Sequence, residues 1–240
     1  VKPKSFSKSN AKTDLYCFSS AKTDIGKSTK NKAAFNHFII RDYMRISSGL
    51  ARGFNLKSPK SDKTRPATDA GRLALFSSLA NAVENAAVLD LFAGTGAYGL
   101  EALSHGAVSA TFVEKDKVAL QCLKANCSGI TSYIKNADIK ISACDCFKFK
   151  SIQKFDFIFL DPPYPLLLAN AAEIFKLVKG LCSTNTTVVL EAPFEFTPPE
   201  GYFEIIKRLG KKSRGKPTEL IMQPLLSESE PEKTSAPENA

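Results

Sequence analysis

The chain has 240 residues, 43% hydrophobic and 24% charged, enough for one α/β domain with a substantial core. Asp90 and Asp161 interrupt the two most apolar stretches, which excludes a membrane-spanning helix there, and no apolar segment follows the lysine-rich beginning, so no secretory signal is expected. The formal charge of +9 suits a polyanionic partner. Six cysteines without a CxxC pair, beside only two histidines, argue against a metal site and for the reduced thiols of a cytoplasmic protein.

Residues 1–40 carry eight lysines against two aspartates with no apolar periodicity, and residues 227–240 carry four glutamates against one lysine. Both read as disordered tails on a domain covering 41–226. The basic tail is a solvated extension or an electrostatic tether to nucleic acid, with an organellar presequence as a third reading. Short apolar alternations around Gly49 and Gly53 predict a hairpin over 44–56. Thr68 or Asp69 can cap a helix whose apolar face is Leu73, Leu75, Phe76 and Leu79. Strands at 86–92, 110–114, 138–143, 155–160 and 186–191 then alternate with helices at 97–104, 117–127 and 166–181. Two last strands, at 203–209 and 219–222, are joined by a basic loop and should pair antiparallel. The expected fold is α/β: five parallel strands with crossover helices, in a seven-stranded sheet ending in an antiparallel hairpin.

The segment DLFAGTGAYGLE at 90–101 joins the first parallel strand to its helix. Gly94, Gly96 and Gly99 let the backbone turn tightly and approach a ligand, and the helix start offers free N–H groups. Asp90 precedes the loop, Phe92 lies within it, and Glu114 ends the next strand, where a carboxylate can accept ribose hydroxyls. Such a loop serves a nicotinamide dinucleotide or S-adenosyl-L-methionine, and the acid-x-x-Ala-Gly-Thr-Gly form is the one seen with the latter. Asp145, after the third strand, sits where a carboxylate would meet an adenine amine; it could equally cap a short helix.

Asp161, Pro162, Pro163 and Tyr164 follow the fourth strand directly, at the sheet edge where ligands of open α/β folds bind. An exocyclic nucleobase amine is a poor nucleophile because its lone pair is delocalised into the ring. The Asp161 carboxylate and the Pro162 carbonyl can each accept one amine hydrogen, which turns the lone pair toward an electrophilic methyl group. Two prolines stiffen the turn and should leave its carbonyls unpaired, and Tyr164 can stack on the base. Two basic clusters flank these motifs: Arg41, Arg45, Arg52, Lys57, Lys60, Lys63 and Arg65, then Lys207, Arg208, Lys211, Lys212, Arg214 and Lys216 with no acid among them. Beside a base-modifying site they are candidates for phosphate contact.

In this order the motifs resemble the RsmD-like family, the small-subunit rRNA guanine-N2 methyltransferases. The likeness runs from about residue 44 to residue 225 and takes in RISSG at 45–49, Arg52 with Gly53, RPATD at 65–69 and GKPTEL at 215–220. It implies a Rossmann-like class I methyltransferase that uses S-adenosyl-L-methionine on N2 of a 16S rRNA guanine, in rRNA or an assembling small-subunit particle. It places the amine at Asp161, Pro162, Pro163 and Tyr164, and the cofactor at Asp90, Phe92, Gly94, Gly96, Glu114 and Asp145. Substrate falls to Arg65, Asp69, Lys211, Lys212 and Arg214. A monomer without metal or membrane is expected. Two positions depart from the family: Leu73 follows Arg72 where an acid is usual, and Arg214 precedes Gly215 where tyrosine is frequent. An adenine-N6 DNA methyltransferase or a protein-glutamine methyltransferase would need the same grip on a planar amine. A non-catalytic RNA-binding assembly factor is the reading outside catalysis.

Overall fold

The structure, a computed structural model, describes residues 44–59 and 69–225. The tails expected at 1–40 and 227–240 lie outside the described residues. So do Thr68 and four members of the first basic cluster, Arg41, Lys60, Lys63 and Arg65; Asp69 is described only as the first residue of a helix.

Strands β1 (Met44–Arg45) and β2 (Asn55–Leu56) pair antiparallel, as expected for the hairpin. Helix α1 (Asp69–Leu79) follows, burying Arg72, Leu75, Phe76 and Leu79 on one stripe. Leu73, expected on that apolar face, is 45% exposed. The alternating region comprises β3 (Ala87–Asp90), α2 (Ala97–Ser104), β4 (Ser109–Val113), α3 (Lys117–Ile130), β5 (Asp138–Ser142), β6 (Phe155–Leu160), α4 (Tyr164–Leu181) and β7 (Cys182–Pro193). Strands β8 (Phe203–Gly210) and β9 (Pro217–Pro224) close the domain.

The sheet runs β5-β4-β3-β6-β7-β9-β8; β3 to β7 are parallel and the last two strands antiparallel. Alternation along β6 shows why it is covered on both faces. Phe157 and Phe159 join one core with Leu75, Leu100 and Leu123, whereas Ile158 and Leu160 join another with Leu167, Ile174 and Phe175. Each such buried side chain contributes about 1.5–3 kcal/mol.

Several boundaries differ from expectation, three of them with a clear physical reason. Helix α3 continues to Ile130, because Ile130 extends the buried stripe of Leu123, Asn126 and Cys127. Helix α4 starts two residues early, at Tyr164, since a proline in the first turn suits a helix start. Strand β7 begins at Cys182, paired with Phe155 ahead of a register shift. Between β5 and β6 the connection is a 3-10 turn at Cys146–Lys148, the short helix that Asp145 can cap.

Candidate active site

The connections reverse direction at β3, which has β4 on one side and β6 on the other, so a crevice opens at the carboxyl ends of these strands. Asp90 ends β3, Glu114 and Asp161 follow β4 and β6 directly, and Asp145 lies beyond β5. Parallel pairing therefore brings the four sequence-predicted carboxylates to one edge.

The glycine loop is organised by two of them. Asp90 is buried, and its Oδ2 accepts the Gly99 N–H at 3.0 Å. Burial raises its carboxyl to about 7, against the Gly99 hydrogen bond and with a small contribution from the charge of Glu114. Glu114 accepts the Gly94 N–H on Oε2 at 2.7 Å, and on Oε1 the N–H groups of Lys115 and Asp116 at 2.8 and 2.7 Å. Gly94 has φ +53, and a Cβ there would meet nothing within 4 Å, so the loop presents bare backbone to open space. Gly96 differs: at φ +85 its absent Cβ would lie 2.6 Å from Leu123 Cδ1. It is a packing position between α2 and α3. Phe92 is half-buried against the core on the α4 side of the sheet.

This donor set separates the two cofactor classes that the loop sequence leaves open. A pyrophosphate needs free N–H groups and positive potential. Here the N–H groups of Gly94, Gly96 and Gly99 are committed to Glu114, the Ala93 carbonyl and Asp90, and the edge is lined with carboxylates. The residues fit a ribose and a cationic sulfonium better than a dinucleotide.

Asp145 caps the 3-10 turn by accepting the Phe147 N–H at 3.0 Å, and its Oδ2 lies 2.8 Å from Lys115 Nζ. Its carboxyl is held below the usual range, first by that Lys115 bond and then by the Phe147 N–H. No group of three or more His, Cys, Asp or Glu among the described residues could hold a metal, and none of the described helices is long and apolar enough to cross a membrane.

Asp161 is half-buried, Pro162 buried and Pro163 exposed, while Tyr164 is half-buried at the start of α4. The expectation that both proline carbonyls stay unpaired needs correction: Pro163 accepts the Leu167 N–H at 3.0 Å as the helix cap. Among the described residues no backbone N–H is directed at the Pro162 carbonyl, the one assigned to the amine. Burial, followed by the charges of Glu191, Asp90 and Glu219, holds the Asp161 carboxyl well above the usual carboxylate range.

Glu191 and Glu219 were not anticipated. Both are buried, at 7% exposure, and they face each other across β7 and β9. Tyr98, in the first turn of α2, donates its hydroxyl to Glu191 Oε2 at 3.0 Å and stacks on Phe159. The run TTVVLE ends on an acid just as FIFLD does, so an edge carboxylate at Glu191 was available to sequence reasoning.

Another buried acid fixes the hairpin. Glu101 on α2 accepts from Ser47 N, Ser47 Oγ and Ser48 N at 2.6–3.0 Å, and its Oε2 lies 3.7 Å from Arg72 Nε with both side chains fully buried. Arg72 in turn donates to the Arg45 carbonyl at 2.8 Å. Arg45 and Arg52 line a surface depression of about 340 Å³ that also takes in Gly53, Ala70 and Leu73.

The second basic cluster splits. Lys211, Lys212 and Arg214 are exposed on the β8–β9 loop. Arg208 instead donates to the carbonyls of Phe194 and Phe196 and to Thr218 Oγ1, and Lys207 donates to Ser78 Oγ, so these two brace the fold. An acid from outside the loop reaches it, because Glu195 Oε2 accepts the Gly215 N–H at 2.9 Å.

A parallel sheet in this strand order, reversing beside an acid-lined glycine loop, is the architecture of Rossmann-like class I methyltransferases. The solved structure of yhhF from Escherichia coli, described as a methyltransferase, superposes with a TM-score of 0.62 at 28% identity, over 75% of this chain and 97% of that one. The family model described as conserved hypothetical protein 95 matches residues 44–221. Ribosomal RNA small subunit methyltransferase D of Haemophilus influenzae is 37% identical over 144 residues, covering 59% of this chain and 72% of that protein. Its namesake from Escherichia coli K12 is 39% identical over 121 residues, covering 50% of this chain and 60% of the relative. The chain belongs to this RsmD-like family.

Proposed function

We propose that the protein methylates the exocyclic N2 of a guanine in small-subunit rRNA, with S-adenosyl-L-methionine as donor. The observation that carries this reading is the Asp161-Pro162-Pro163-Tyr164 turn at the carboxyl edge of β6, one strand from the glycine loop. Bound in the crevice, the cofactor supplies an electrophilic methyl on a sulfonium. Gly94 admits it closely, and Glu114, already anchored to the loop, takes ribose hydroxyls on its remaining lone pairs. Phe92 and Asp145 border its adenine, and Asp90 holds the loop through Gly99 rather than touching the ligand.

Asp161 and the Pro162 carbonyl accept the two amine hydrogens, and Tyr164 stacks on the base, so the nitrogen lone pair points along the S–CH3 axis. Lys211, Lys212 and Arg214 contact phosphates, and the family resemblance assigns Arg65 and Asp69 to the substrate as well. The names borne by the Haemophilus and Escherichia relatives support small-subunit rRNA as the substrate. The reaction is proposed for a cytoplasmic monomer. The test is to incubate the protein with methyl-labelled cofactor and small-subunit particles and identify the labelled nucleoside. N2-methylguanosine is expected; label in adenosine or in protein would refute the assignment.

A further inference from the structure

Asp161 is not alone at its edge. Leu160 pairs with Leu190 and Glu191 with Glu219, so the next position along puts Asp161, Glu191 and Glu219 side by side across β6, β7 and β9. Glu191 and Glu219 are buried, and burial with the charge of Glu191 pushes Glu219 up as well. Glu191 is fixed from the other side of the crevice by the Tyr98 hydroxyl at 3.0 Å. Tyr98 cannot shed that proton readily, since burial and the surrounding acids raise it well above the usual phenol range. The groups facing Asp161 are therefore Asp90 from β3, Glu191 from β7, Glu219 from β9 and Tyr98 from α2. Among the described residues, those whose charge acts on it are all acids.

Amine methylation leaves a proton to be placed. The nitrogen lone pair forms the N–CH3 bond, the C–S bonding pair stays on sulfur, and the nitrogen becomes cationic until one N–H is lost. We infer that Glu191, with Glu219 behind it, is a positioning residue that makes Asp161 the base receiving this proton. The inference rests on the proposed function. Like charges placed beside a carboxylate favour its protonated form, so Asp161 binds the departing proton more firmly than an isolated aspartate would. Glu191 acts only through Asp161; the Tyr98 bond and the β7–β9 pairing keep it in place.

The test titrates the Asp161 carboxyl in the ligand-free protein by 13C NMR, with the signal assigned by its loss in Asp161→Asn. The same variants are then followed through the pH dependence of kcat/KM. Glu191→Gln keeps the acceptor for Tyr98 and removes the charge. The Asp161 titration and the acid limb of activity should both move to lower pH, by roughly one unit. Well below the limb, the variant should then be about tenfold faster relative to its own plateau. Glu219→Gln, one strand farther away, should move both in the same direction by less, and it keeps the test alive if Glu191→Gln fails to fold. A titration unmoved in the folded variants overturns the inference whatever the activity. A titration that moves in a protein unable to methylate an amine overturns the functional reading instead.

Discussion

Gly94 and Gly96 stand two residues apart in one loop and both have positive φ, yet alanine should affect them differently. At Gly94 a Cβ meets nothing within 4 Å, so Gly94→Ala carries only the left-handed backbone cost of about 1–2 kcal/mol. At Gly96 the same cost is joined by overpacking, because the new methyl would lie 2.6 Å from Leu123 Cδ1 and 3.3 Å from Phe112 Cε1. Overpacking costs about 1–3 kcal/mol, which brings the total to about 2–5 kcal/mol. For a domain of this size that lowers Tm by roughly 4–20 °C, against roughly 2–8 °C for Gly94→Ala. Cofactor affinity should rank the other way: the Gly94 methyl projects into the crevice and should weaken S-adenosyl-L-methionine at least about tenfold. Thermal unfolding and calorimetric titration of both variants measure the two effects. Equal stabilities, or full cofactor affinity in Gly94→Ala, would refute this division of the loop.

Glu101→Gln removes the charge opposite buried Arg72 and should cost about 3 kcal/mol or more in denaturant unfolding, with the hairpin segment losing amide protection first. Asp90, ordinarily near 3.8 and raised to about 7 here, favours the folded state below its unfolded value. That contribution should be lost as pH rises from about 4 to about 7, worth up to about 4 kcal/mol, and Asp90→Asn should flatten this part of the stability profile. Neutralising Lys211, Lys212 and Arg214 together should reduce the slope of log affinity for RNA against log salt by roughly 2; an unchanged slope removes the β8–β9 loop from the binding surface.

Short apolar runs such as FIFL located the parallel strands by their length, their aromatic and β-branched content and the turn residues after them, and the carboxylates that end them followed from position. What escaped the sequence was pairing at a distance. Glu191 reads as the last residue of a strand until the register sets it beside Asp161 and opposite Glu219. Glu101 and Arg72 lie 29 positions apart on two helices, and nothing local marks either as internal. Arg208 looks like its basic neighbours until strand pairing turns its guanidinium onto two carbonyls. The Lys115–Asp145 bridge likewise depends on β4 and β5 being adjacent.

The most direct test of the amine-gripping turn is Asp161→Ala, assayed in parallel for methyl transfer to small-subunit rRNA and for S-adenosyl-L-methionine binding. The account predicts that transfer falls by about a hundredfold or more, as when an oriented hydrogen-bonding group is lost, while the cofactor Kd changes by less than about threefold. Methyl transfer within about tenfold of the unaltered protein would show that Asp161 does not orient the amine.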